Sequence, residues 1–159
     1  MDATHVHLAL THVPIVGTVI GTLILAYSIV KNNKAVSQVA LFTLLVMAFI
    51  SAPVFLTGEE AEESIEHLPG VEEHYIHEHE ELAEKAIWLM VILGVFAAFT
   101  LYAVNAELAI AQKATIITCV IGIATFVAFV QVGNLGGEIR HTEIRCSESI
   151  IDDHHEHDH

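Results

Sequence analysis

The stretch HEHEELAEKAIWLMVILGVFAAFTLYAV, residues 77–104, decides how this chain folds. It opens with acid and histidine, and from Ala86 to Val104 it holds no Asp, Glu, Lys or Arg. A hydrocarbon core of roughly 30 Å takes about 20 apolar residues in a helix. A run of this length without two-residue alternation reads as a helix and not as a barrel strand. Three more stretches read the same way: about Leu8 to Val30, Ala35 to Thr57 and Ala114 to Val132, all without a charged residue. A soluble bundle would need a polar stripe on each helix, and none is present.

The composition agrees. Hydrophobic residues make up 53% of the 159, and only 16% are charged, where soluble domains carry roughly 25%. Yet 20 Asp+Glu stand against 6 Lys+Arg, a net charge of −14. A chain this apolar and this acidic must segregate the two properties. The acidic balance also excludes nucleic acid as a partner, because phosphates need a basic face.

The connections set the architecture. Lys31-Asn32-Asn33-Lys34 is a tight turn, and Asn105 to Lys113 is a short link. Gly58 to Lys85 is a longer acidic, His-rich excursion. Short links make neighbours antiparallel, so the expected fold is all-α: an integral membrane up-down four-helix bundle with an extramembrane excursion between helices two and three. Residues 1–145 form the membrane domain, and residues 146–159 a His/Asp-rich flexible tail. Met1 to Thr4 lack a basic n-region, so no cleaved signal peptide is expected. Cys119 is mid-span and Cys146 in the tail, too far apart for an internal disulfide.

Four spans put the N-terminus, the excursion and the tail on one face. All 12 histidines fall there. Of the acidic residues only Glu107 falls on the other face. Lysine and arginine counts tie between the faces, but two lysines in one tight turn favour that turn as cytoplasmic. The expected location is the cell inner membrane, multi-pass, with both termini periplasmic or extracellular.

Each helix brings at least one His or carboxylate to this end. His7 and His12 open span one, with Pro14 placing His12 at a kinked or starting helix end. Glu59 and Glu62 follow span two, and His79 precedes span three. Glu138 and His141 follow span four as Glu-x-x-His, a spacing that puts both on one face of a helix, although Gly136-Gly137 could end the helix first. Mixed imidazole and carboxylate suit a transition metal: Zn, Fe or Cu. The ligand pool is His7, His12, Glu59, Glu62, His79, Glu138 and His141, with Glu80 and Arg140 orienting it. The terminal Asp-Asp-His-His-Glu-His-Asp-His run is a separate metal-binding tract by composition. An alternative is haem b, with axial ligands among His12, His79 and His141. A third reading is an accessory membrane subunit whose polar end only forms hydrogen bonds or docks a partner. No Ser, Cys or Asp arrangement marks an enzyme, and whether there is catalysis stays open.

The opening His7-x-x-x-x-His12-Val13-Pro14-Ile15 resembles that of a bacterial four-helix membrane family, domain of unknown function 2231. Thr57-Gly58-Glu59-Glu60, Leu68-Pro69-Gly70-Val71, His79-Glu80 and the closing Gly136-Gly137-Glu138 with His141 look like one branch of it. The similarity covers about residues 5 to 145. His7 is followed by Leu8 where the family has Pro, and the His tail is outside its pattern. The resemblance implies a redox setting, through relatives fused to c-type haem or iron–sulfur domains. Expected partners are the lipid bilayer and a redox or other membrane protein, with a homo-oligomer left open.

Overall fold

A computed structural model of the chain describes residues 3–65 and 73–140. These form four helices: α1 (Ala3–Lys31), α2 (Lys34–Ile65), α3 (Glu73–Asn105) and α4 (Ala111–Arg140). They contain 29 to 33 residues. At about 1.5 Å per residue each is about 44–50 Å long, well beyond a bilayer's apolar core.

The helices pack in a ring. α1 lies along α2, α2 along α3, α3 along α4, and α4 returns to α1. That leaves α1 and α3 diagonal. Sequential neighbours are antiparallel: Ser37 early in α2 donates to Ser28 late in α1, while His7 early in α1 meets Val54 late in α2. The expected up-down four-helix bundle is therefore present.

All four helices hold a stretch long and apolar enough to cross a membrane: Leu10–Lys31, Lys34–Gly58, Ile76–Asn105 and Ala111–Gly137. Large apolar side chains face outward all round the bundle, among them Leu23, Phe42, Phe49, Leu56, Trp88 and Tyr102. Such a surface suits lipid contact.

The interior is built differently from its outside. Leu25, Leu41, Leu44, Met90 and Leu93 are fully buried. Every buried polar side chain among the described residues is a serine or threonine, nine in all. Most return their hydroxyl to a carbonyl one turn back, as Thr115, Thr118 and Thr125 do. In lipid, helices gain little from hiding apolar surface, so they associate through small residues that allow close approach. A Cβ on Gly94 would lie 2.6 Å from the Ala48 methyl, and one on Gly122 would lie 2.5 Å from Thr22 Oγ1. These two glycines set the spacing of α2 to α3 and of α1 to α4.

Both hairpins close with the same turn. Asn32 and Glu107 are left-handed, at φ 47° and 55°. Asn33 N–H reaches back to the Ser28 carbonyl at 3.1 Å, and Leu108 N–H to the Ala103 carbonyl at 3.0 Å. This six-to-one bond satisfies carbonyls that a helix end leaves orphaned. Asn33 then caps α2, its Oδ1 accepting from Val36 N–H at 3.1 Å. Lys34 pairs with Glu107 at 2.7 Å and ties one turn to the other.

Three features that the sequence leaves open are settled by the helix bounds. α1 does not start or end at Pro14 but runs through it, with Pro14 buried. The excursion is mostly helix: α2 continues to Ile65 and α3 begins at Glu73. The Gly133-to-Gly137 segment does not end α4, which continues to Arg140. Cys119 is buried and free, and Cys146 lies outside the described residues.

Candidate functional site

Two histidines are built into the end of the bundle where α1 and α3 begin. His7, on α1, is half-buried. Its Nδ1 lies 3.2 Å from the Val54 carbonyl of α2 and 3.3 Å from Thr57 Oγ1. A carbonyl oxygen can only accept, so Nδ1 carries the proton. The Thr57 hydroxyl donates its own hydrogen to the same carbonyl at 2.8 Å and so accepts from His7. Among the described residues, no hydrogen bond engages the Nε2 lone pair of the neutral ring.

His79, on α3, repeats this. Its Nδ1 donates to the Val132 carbonyl of α4 at 3.1 Å. Nε2 is again the atom not used by the backbone. Both rings lie at the same end of the bundle, on the diagonal helices α1 and α3.

A glycine lies under each ring. A Cβ on Gly58 would come 3.2 Å from His7 Cε1, and one on Gly136 would come 3.3 Å from His79 Cε1. In both cases the nearest atoms that such a Cβ would meet among the described residues belong to the histidine ring. The glycine stands four residues after the carbonyl that takes the hydrogen bond, one helical turn on. Each ring therefore approaches a bare patch of the neighbouring helix, Cε1 foremost.

Burial dominates the charge state of His7. Loss of water pushes its imidazole below the ordinary value, and the bond to Val54 offsets part of that. The neutral ring, the form that offers a lone pair, is favoured.

The other expected ligands fall out differently. His12 is exposed. Five residues beyond His7 in an unbroken helix, it is turned about 140° around the axis from it. The structure therefore does not present His7 and His12 on one face. Glu59 and Glu62 extend α2 past Gly58, with Glu62 one turn beyond that glycine. Glu138 extends α4 two residues past Gly136. The side chains of these three, that of Arg140, and all of His141 lie outside what the structure describes. Among the described residues, no group of three or more His, Cys, Asp or Glu is gathered as a metal site. Glu80 is not directed at His79; it pairs with exposed His77 at 3.7 Å. His74 and Glu78 pair likewise at 3.4 Å. These pairs make the outer part of α3 a solvated face.

Sequence reasoning missed the two carbonyl acceptors, Thr57 and the ring-bearing role of the glycines. The available signal was the Val-x-x-x-Gly spacing, Val54 to Gly58 and Val132 to Gly136, near the end of both even-numbered helices.

A cavity of about 210 Å³ opens at the opposite end, between Ser28, Asn32, Asn33, Ser37, Val104 and Thr115 among others. It is far from the histidines, and polar groups around it are already paired, Ser28 with Ser37 and Lys34 with Glu107. No family model matches the chain, and neither does any curated protein or solved structure.

Proposed function

We propose that this is a multi-pass membrane protein that binds a transition metal ion at the histidine end of its bundle. One observation carries the reading: His7 and His79 both spend Nδ1–H on a backbone carbonyl, which leaves both Nε2 atoms for a ligand. Metal-binding histidines are held in this way, because the second bond fixes the tautomer and the ring direction. Two imidazoles suit Zn, Cu or Fe. Glu59, Glu62 and Glu138 extend the same helix ends, and with His141, which lies outside the described residues, would complete the ligand set. The bundle sits in the bacterial inner membrane with this end outward, since Lys31 and Lys34 flank the tight turn opposite. The likeness to domain of unknown function 2231 and its redox setting belong to the same reading.

A b-type haem is the second reading. What favours it is that the two Nε2 atoms come from diagonal helices, α1 and α3, as axial ligands on opposite sides of a ring would. Purification from the native membrane decides between the two. The full-length chain should be used with His154, His155, His157 and His159 replaced by Asn, so that the tail binds nothing. Elemental analysis should find stoichiometric metal that His79→Ala removes. A Soret band moves the site to haem. Absence of both metal and haem sinks the proposal.

A further inference from the structure

The two hairpins, α1–α2 and α3–α4, correspond at three levels. At the turn, both have the left-handed residue and the six-to-one hydrogen bond. Inside the hairpin, a hydroxyl pair joins the helices: Ser28 to Ser37 at 2.8 Å, Thr100 to Thr118 at 2.8 Å. At the open end, a histidine of the first helix lies on a glycine of the second and bonds the carbonyl one turn before it. Between the hairpins a glycine allows close approach on both sides, Gly94 of α3 against α2 and Gly122 of α4 against α1, but on the first helix of one hairpin and the second of the other. Turn, hydroxyl pair and histidine make the molecule a pseudo-twofold pair of one hairpin design, with His7 in one half answering His79 in the other.

We infer that His7 and His79 are equivalent ligands of a single ion shared between the hairpins, and that Gly58 and Gly136 are the positioning residues that seat the two rings. This rests on the metal reading above and adds its stoichiometry and its supports.

The geometry explains why the supports are glycines. The Nδ1···O distances are 3.2 and 3.1 Å, at the long end for a hydrogen bond. A methyl 3.2–3.3 Å from Cε1 forces the ring back by a few tenths of an ångström. That displacement weakens the bond to the carbonyl, which loosens the hold on the ring direction and on the tautomer that keeps Nε2 free of the proton. Loss of such an orienting partner typically costs about 10–100-fold in metal affinity. Gly133 of α4 is the contrast: a Cβ there meets nothing within 4 Å.

The test is titration of the full-length, tail-substituted chain with Zn²⁺ alone, together with two-bond ¹H–¹⁵N spectra of the imidazoles. The expected result is one Zn²⁺ per chain, with His7→Ala and His79→Ala weakening it to a similar extent. Gly58→Ala and Gly136→Ala should each weaken binding about tenfold while Gly133→Ala leaves it unchanged. In Gly136→Ala the Nδ1–H signal of His79 should be lost and that of His7 kept, and in Gly58→Ala the reverse. Helix content measured alongside should not fall, because alanine is the better helix former. Two Zn²⁺ per chain, or strong loss from only one of the two histidine variants, overturns the shared site and leaves a metal-binding protein. So do unchanged tautomers in the glycine variants, for the positioning role. No Zn²⁺ in the parent chain overturns the proposed function itself.

Discussion

The two ends of this bundle are made from the same helices and finished in opposite ways. At the turn end every device closes something. Asn33 serves two helices at once, Ser28 and Ser37 satisfy each other, and Lys34 holds Glu107. At the histidine end the hydrogen bonds stop one atom short, because each imidazole uses Nδ1 and keeps Nε2. Polar groups at the first end hold the fold; those at the second end are held by it. That asymmetry separates structural polarity from a site more sharply than richness in histidine does. Exposed His74 and His77 are histidines too, and each pairs with a glutamate of its own helix.

The comparison breaks most readily at the ligand atoms. Replacing His79 by Ala should cost at least about 100-fold in metal affinity, as loss of a first ligand exceeds the roughly 10–100-fold of an orienting group. Lys34→Ala at the other end should leave the affinity unchanged, which isothermal titration reads directly. An equal loss from both would mean that the ends are not distinct.

Next in size is the hydroxyl pair. Ser37→Ala leaves the buried Ser28 hydroxyl only its bond to the Leu25 carbonyl. Interhelical bonds of this kind in membrane bundles are worth about 0.6 kcal/mol, up to about 1.7. Thermal unfolding in detergent should show that loss with metal binding intact.

The smallest effect is in pH. The folded state lowers the affinity of His7 for a proton, so the contribution of its neutral form is complete above about pH 6.5, the ordinary imidazole value. It is lost as pH falls below that value through the lower folded one. Glu107 is a carboxylate held below its ordinary range by its hydrogen bond to Lys34, so its contribution persists until more acidic pH. Hydrogen exchange on the metal-free protein should therefore show α1 loosening near His7 before the turns do. Simultaneous loosening would remove this distinction.

Much of the fold could be read from the chain. Four uncharged runs and two short links lead to an up-down bundle, and connectivity alone gathers the histidines at one end. What could not be read was decided between elements. Helices outlast their apolar runs because polar ends find partners along the same helix, as Lys85 does with Glu81 at 2.8 Å. Pro14 reads as a boundary from its missing donor, yet α1 continues because packing buries the residue. His74, His77 and His79 look alike in sequence. Only the approach of α4, with a bare Gly136 at the right level, selects His79. His7 over His12 is the same choice made by α2 through Gly58.

The shared duty of Asn33 has a practical side. One residue ends α1 and begins α2, so a single added residue between Lys31 and Lys34 must sever one of those bonds. The link Ala106 to Ile110 lies on the same side of the bundle and is longer: Leu108 N–H closes α3 on the Ala103 carbonyl, and the Leu108 carbonyl takes Ala111 N–H of α4. A reporter that asks which compartment the turns face belongs in that second link, after Leu108, where it leaves the bond that closes α3 in place.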